Sequence, residues 1–262
     1  MIVDFHNHLM PYVDDGAQTA DECRSGLEAF KRDGVALVVA TPHFEASATT
    51  KPEELRRRLE QLDAGFRTLQ STAKHLGGVE VRRGVELLLN VPNPDLADAR
   101  LRLGGGSFFL TEFPFFSVPP HSARVLQALA ARGHTPIVAH PERYRGISAN
   151  IEIAGEWRRG GAFLQVNGGS LVGRYGAEAR AAAFELLGRG WVDYLCSDYH
   201  ARGDTLVAQY GSLLEGLGAR EQATMLMQTN PARMLDGLAP LSVQPLQVKR
   251  TIWRRVAAIF RS

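Results

Sequence analysis

Nine residues of the chain have the types and the placement to bind divalent metal: His6, His8, Asp15, His43, Glu86, Glu112, His140, Asp198 and His200. Each lies at or just beyond the C-terminal end of a short apolar run. Imidazole and carboxylate together suit borderline to hard divalent cations. Nine donors are too many for one ion, so two or three ions sharing a bridging carboxylate are expected. Closely spaced ions lower the pKa of bound water and clamp the attacking and leaving oxygens of a phosphoester. The chemistry these residues predict is therefore metal-dependent phosphoester hydrolysis.

No single pair carries this reading. His6-Asn7-His8 has the period-two spacing that puts both rings on one face of a strand, which does not require metal, and Asp198-Tyr199-His200 is equally weak alone. The ensemble decides: six of seven apolar runs end in ligand-type residues, and the seventh ends in Gln165 and Asn167 instead. His75, His121 and His134 fall elsewhere and are read as structural or surface residues. A rival chemistry is the Cys-x5-Arg spacing of Cys196 to Arg202, as in cysteine-dependent phosphatases. No glycine lies between the two, and Asp198 would repel the phosphate. Cys196 is expected in the core.

The elements that must position these residues alternate. Strand-like runs cover residues 2–6, 35–41, 79–85, 107–112, 136–140, 162–167 and 192–198. Helical patterns cover 19–33, 52–75, 122–132, 151–159, 178–190 and 205–217. Strands separated by helices imply parallel βαβ units in an α/β fold. A barrel of about seven strands accounts for the polar ends better than a doubly wound sheet, because a parallel barrel gathers all its C-terminal strand ends at one mouth. No glycine-rich phosphate loop follows the first run.

The 262 residues carry a net charge of +2, so no nucleic-acid partner is expected. Two cysteines cannot build a disulfide framework and suit a reducing compartment. Met1 leads directly into a strand-like run with no basic and apolar leader, and no apolar stretch is long enough to span a bilayer. The expected location is the cytoplasm. A barrel over 1–240 is followed by a tail, 241–262, in which Lys249, Arg250, Arg254, Arg255 and Arg261 stand without an acidic residue. Ile252, Val256, Ile259 and Phe260 recur at helical spacing beside them. Such a tail either packs on the barrel as a final helix or holds the protein to an anionic membrane surface.

The motifs His6-x-His8, Asp14-Asp15-Gly16, Thr41-Pro42-His43, Gly84-Val85-Glu86, Glu112-Phe113, His140-Pro141-Glu142-Arg143-Tyr144 and Ser197-Asp198-x-His200 resemble the polymerase-and-histidinol-phosphatase (PHP) superfamily. Within it, the chain is similar to the bacterial tyrosine-protein phosphatases of capsular and exopolysaccharide operons, over about residues 1–235. The resemblance implies a distorted (β/α)7 TIM-like barrel with two to three divalent ions, of Mn, Fe, Zn or Co. By motif, His6, His8, Glu86 and Asp198 would hold one ion, Glu86, Glu112 and His140 a second, and Asp15, His43 and His200 a third. Asp15 is preferred to Asp14 because the family's ligand directly precedes the glycine. Arg143 matches an arginine that grips phosphate. A second family arginine lies further beyond Asp-x-His than Arg202 does here. His43 or His200 would supply a proton through bound water. The implied substrate is phosphotyrosine protein, in particular the acidic, tyrosine-rich tail of a membrane tyrosine kinase, with a peripheral membrane contact through the basic tail. Two alternatives stand beside it: a small-molecule phosphatase of the same superfamily, on a histidinol-phosphate-like or nucleotide substrate, and a non-catalytic metal-binding partner of a polysaccharide assembly complex.

Overall fold

Runs such as Val35-Ala-Leu-Val-Val-Ala40 are apolar on both faces, as required of strands covered by side chains on one side and helices on the other. A computed structural model describes residues 1–114 and 118–247. In chain order it contains β1 (Ile2–Asp4), α1 (Ala20–Arg32), β2 (Val35–Ala40), β3 (His43–Glu45), α2 (Pro52–Leu76), β4 (Glu80–Arg83), β5 (Glu86–Leu88) and β6 (Phe108–Glu112). There follow α3 (Ser122–Ala131), β7 (Thr135–Ala139), α4 (Arg145–Ala149), α5 (Glu152–Arg159), β8 (Phe163–Asn167), α6 (Gly168–Leu171), α7 (Gly176–Gly188) and β9 (Tyr194–Cys196). Three helices close the described chain: α8 (Val207–Gly216), α9 (Arg220–Thr224) and α10 (Asn230–Leu235).

Every strand pairing is parallel, in the orders β1-β2-β4 and β3-β5-β6-β7-β8-β9. The two sheets are segments of one ring. Pro42, which has no N–H, separates β2 from β3, yet Gly84 N donates to Ala40 O at 3.0 Å and Glu86 N to Pro42 O at 3.0 Å. So β2 runs on into β3 and β4 into β5, and the strands form seven courses. The first and last meet just past their strand ends. Asp198 N donates to His6 O and His8 N to Tyr199 O, each at 2.8 Å, around an isolated parallel bridge between Asn7 and Tyr199.

Side chains alternate across this ring. Val3, Phe5, Leu37, Val39, Phe108, Leu110, Ile137, Tyr194 and Cys196 pack inside it, while Val38, Ala40, Phe109 and Val138 face the helices. Glu112 and Asp198 continue the inward set by one more step of two, and Gln165 and Asn167 follow Phe163 by one and two such steps. Cys196 is in the core, as its apolar context predicts. The short α4 and α6 and the segment α9–α10, broken by a π-turn at Met225–Thr229, were not legible as periodic patterns because none offers enough turns to show a period.

Residues 241–247 of the expected tail pack on this body. Leu246 N donates to Leu187 O at 2.9 Å, Val243 and Leu246 are buried, and the Asn230 side chain bonds both backbone groups of Leu241. The five basic residues and the amphipathic repeat of the tail lie outside the described residues. Among the described residues, no helix is long and apolar enough to cross a membrane.

The seam is tied by Asp4. Its fully buried carboxylate accepts from Ser197 N at 2.7 Å, Asn7 Nδ2 at 3.0 Å and His6 N at 3.3 Å. Burial raises its pKa to about 6 in spite of those bonds. Asp4→Ala strands these donors away from water, so unfolding free energy should fall by about 2–4 kcal/mol in chemical denaturation. A change within experimental error would show that the seam does not depend on Asp4.

Candidate metal centre

Glu86, wholly buried at the start of β5, is the hub. Its Oε1 lies 2.9 Å from His140 Nε2 and 3.1 Å from His6 Nε2, and its Oε2 lies 3.1 Å from His43 Nδ1 and 3.5 Å from His8 Nε2. Asp198 Oδ1 stands 3.3 Å from His6 Nε2, 3.4 Å from His8 Nε2 and 3.5 Å from His200 Nδ1. Glu112 faces His43 Nδ1 at 3.4 Å and His140 Nε2 at 3.9 Å. At the rim, Asp15 Oδ1 approaches His43 Nε2 at 3.5 Å and His200 Nε2 at 3.6 Å. All nine candidate ligands thus converge on one mouth, from a sealed floor at His6, His8 and Glu86 to a rim where the Asp15 side chain is 64% exposed.

Three sets of donor atoms are close enough to share an ion: His6, His8, Glu86 and Asp198; His43, Glu86 and Glu112; and His8, Asp15, His43 and His200. The donor set fits cations for a further reason. His6 Nε2, His8 Nε2, His43 Nδ1, Glu86 Oε2 and Glu112 Oε2 are buried and make no hydrogen bond, yet they point at one another. Buried polar atoms are rarely left without a partner, and imidazole nitrogens and carboxylate oxygens that converge in this way suit a shared cation.

Local backbone geometry aims the ligands. His140 (φ 36°) and Asp198 (φ 54°) both adopt the left-handed region, a strained conformation for residues with a Cβ. Gly16 is required: a Cβ there would sit 2.0 Å from the carbonyl oxygen of His8. Asp14, which the motif passed over, orients two ligands. Its Oδ2 lies 2.6 Å from His8 Nδ1 and accepts from His43 N at 2.9 Å, and its Oδ1 accepts from Gly16 N at 3.0 Å. Burial works against this charge, but the His8 contact outweighs it and holds the carboxyl near 2.

Other functional contacts were not foreseen either. Gln165 and Asn167 are wholly buried against His6 and Asp198. Glu142 accepts from Asn167 N at 3.0 Å and Ser170 Oγ at 2.7 Å, tying the turn that carries Arg143 to the end of β8. Their one sequence signal is the inward period-two position or the neighbouring motif, since amides and a lone carboxylate do not announce an orienting role.

Arg143 reaches the centre. Its Nη1 donates to Asp198 Oδ2 at 2.6 Å, and its guanidinium lies over the Tyr175 ring, 4.3 Å from the centroid. A cavity of about 420 Å³ opens beside it, lined in part by Arg145, Ser148, Tyr175 and Glu178. Arg202 stays at the rim, where Nη2 donates to the Asp15 carbonyl at 2.9 Å. The Cys196 thiol is pushed well up by burial and by the nearby Asp4 and Asp198 carboxylates, the opposite of what a thiolate nucleophile needs.

Without cations the carboxylates favour protons on His6, His8 and His43. Burial opposes charge on His8, but its contacts with Asp14 and Asp198 prevail and push its pKa up to about 10. Glu112 and Glu86 likewise overcome burial and push His43 up to about 11. Glu86 and Asp198 are held well below the usual carboxylate range in spite of burial, chiefly by the charge of His6.

A parallel α/β barrel that gathers imidazoles and carboxylates at its C-terminal mouth defines a class of metal-dependent hydrolase scaffold. The match to the family model described as "Capsular polysaccharide synthesis, CpsB/CapC" covers residues 2–236, and the chain belongs to that family. It is 30% identical over 201 residues to the tyrosine-protein phosphatase YwqE of Bacillus subtilis, covering 76% of this chain and 77% of that one. It is 25% identical over 247 residues to the tyrosine-protein phosphatase CpsB of Streptococcus agalactiae, covering 89% and 98%. Among solved structures, one from a study of YwqE of B. subtilis and CpsB of Streptococcus pneumoniae, described as metal-dependent tyrosine phosphatases, superposes with a TM-score of 0.77. It shares 27% identity and covers 95% of this chain and 100% of its own. A lactonase from Listeria monocytogenes, at 10% identity and a TM-score of 0.51 over 95% of each chain, shares the fold alone.

Cations that enter this centre must displace the protons on His8 and His43. Their pKa values of about 10 and 11 lie above neutrality, so apparent metal affinity should climb with pH throughout the range below about 10. Calorimetric titration in buffers of different ionisation enthalpy should show protons released per ion bound. Affinity independent of pH, with no proton release, would contradict this electrostatic picture.

Proposed function

We propose that the protein is a metal-dependent protein-tyrosine phosphatase that hydrolyses phosphotyrosine. It would act on the acidic, tyrosine-rich tail of a membrane tyrosine kinase, and so regulate capsular or exopolysaccharide synthesis from the cytoplasmic side. The observation that carries this reading is the nine-ligand cluster around Glu86 with Arg143 at its lip, in a chain belonging to the CpsB/CapC family.

In this reading His6, His8, Glu86 and Asp198 would hold one ion, Glu86, Glu112 and His140 a second, and Asp15, His43 and His200 a third. When bound, such ions polarise the phosphoryl oxygens and make hydroxide available near neutral pH. Glu86 would contribute to two of these sites, its two oxygens facing different imidazoles. Arg143 offers a planar fork that can take two phosphate oxygens at once, and the Tyr175 ring supports that plane from one side. His43 or His200, partly exposed at the mouth, would supply a proton to the leaving oxygen through bound water. Phenolate, with a pKa of about 10, leaves with less help than an alkoxide, which suits a site with no separate strong acid. The exposed rim at Asp15 and the cavity beside Arg143 would leave room for a peptide around the phosphotyrosine.

Purified protein should contain two to three divalent ions per chain and release phosphate from a tyrosine-phosphorylated peptide, with chelation abolishing turnover. Arg143→Lys keeps the charge but loses the fork, and should lower kcat/KM by an amount equivalent to about 2–4 kcal/mol at unchanged metal content. Full activity in chelator, or an unchanged kcat/KM in Arg143→Lys, would overturn the assignment. Preference for a histidinol-phosphate-like or nucleotide substrate over the peptide would favour the small-molecule alternative.

The basic segment 248–262 is proposed to hold the enzyme near anionic lipid, which raises the effective concentration of a membrane-borne substrate. Its deletion should leave hydrolysis of a small aryl phosphate intact and abolish salt-sensitive binding to anionic vesicles. Equal vesicle binding by both forms would defeat the idea.

A further inference from the structure

Strand β8 contributes no metal-ligand residue, yet its last two inward side chains, Gln165 and Asn167, are wholly buried among the ligands. Their hydrogen bonds have a fixed direction. Asn167 Nδ2 donates to Asp198 Oδ2 at 2.8 Å. A carboxylate only accepts, so the amide nitrogen must face it and Asn167 Oδ1 must face away. That oxygen accepts from Gln165 Nε2 at 3.0 Å, which turns Gln165 Oε1 onto His6 Nδ1 at 2.7 Å. An amide oxygen also only accepts, so His6 carries its hydrogen on Nδ1. Nε2 is then the atom left for a cation, which would replace the proton that Glu86 Oε1 at 3.1 Å and Asp198 Oδ1 at 3.3 Å draw onto it. Flipping either amide would set donor against donor at one junction and oxygen against oxygen at the other.

We propose that Gln165 and Asn167 are positioning residues that form an amide relay, given its direction by the Asp198 carboxylate, which locks His6 with Nε2 as the donor to a divalent cation. The inference rests on reading the cluster as a metal centre. The relay also settles how Asp198 binds. Its Oδ2 is taken by Asn167 and by Arg143 Nη1 at 2.6 Å, so the ion is left with Oδ1 alone. One pair of neutral amides thus orients two ligands of the same ion, a task usually given to a separate partner for each ligand. Neutral amides suit the place. A carboxylate at either position would add negative charge beside Asp198 and could not pass the hydrogen-bond direction along.

Zinc serves as the probe because it is diamagnetic. In the zinc-loaded wild type, imidazole nitrogen NMR should show His6 protonated at Nδ1 and metal-bound at Nε2. The reverse assignment overturns the relay, whether or not any variant folds. In chelator competition, Gln165→Leu and Asn167→Leu should each weaken zinc binding at one site per chain by about tenfold to a hundredfold. The double variant should lose no more than Asn167→Leu alone, because members of one relay do not add. Losses that multiply, or single variants within roughly twofold of the wild type, overturn it. A wild type that binds no zinc in the same assay overturns the metal-centre reading too, whereas normal wild-type binding with unaffected variants defeats the relay alone.

Discussion

A carboxylate with no access to water, facing four imidazoles, is the constraint around which this molecule is built. Glu86 keeps its charge in spite of burial because His6, His8, His43 and His140 crowd around it, the charge of His6 above all. Like-charged or unpaired groups at that depth would be costly. Each imidazole comes from a different course or turn of the ring, except His6 and His8, so the charge balance exists only when the ring is joined. The seam at Asp4, Asn7 and Ser197 is therefore as much a part of the site as the ligands are.

The alternation of the strands serves the same end. Pro42 and Gly84 interrupt two neighbouring courses at one level, and β3 and β5 restart with His43 and Glu86 directly paired in register. His43 follows Leu37 and Val39 by steps of two, and Glu86 lies between the outward Val85 and Leu87, so alternation carries both side chains to the mouth. On the other side of the ring His140, which directly follows the inward Ala139, departs from alternation through its left-handed backbone, a conformation that Asp198 shares. This strain concentrates where the ligands turn inward, and it is offset by the contacts those side chains make once they arrive.

Around the ligands lies a shell that prefers one atom of each. Asp14 takes His8 Nδ1, Gln165 takes His6 Nδ1, and Asn167 with Arg143 takes Asp198 Oδ2. In every case the atom left over faces the middle. Arg143 belongs to both the shell and the proposed substrate side, which couples metal geometry to phosphate binding through a single Asp198 oxygen.

The seven courses, the main helices and the convergence of nine ligands were legible in the sequence, because alternation and strand-end position survive in a linear pattern. The nucleophile question was legible too. Asp198 beside Cys196 argued against a thiolate, and burial of that thiol agrees. Asp14 was discarded as a ligand, yet it orients His8, and no spacing distinguishes a ligand from the residue that holds one. Gln165 and Asn167 appeared as a gap in the ligand pattern, since neutral amides carry no charge signal. Their role follows from hydrogen-bond direction, which depends on which atom faces which across β1, β8 and β9. The sequence by itself determined which side chains arrive at the mouth. Only the tertiary structure decided which atom of each is free when it gets there, because that choice is made by neighbours from distant parts of the chain.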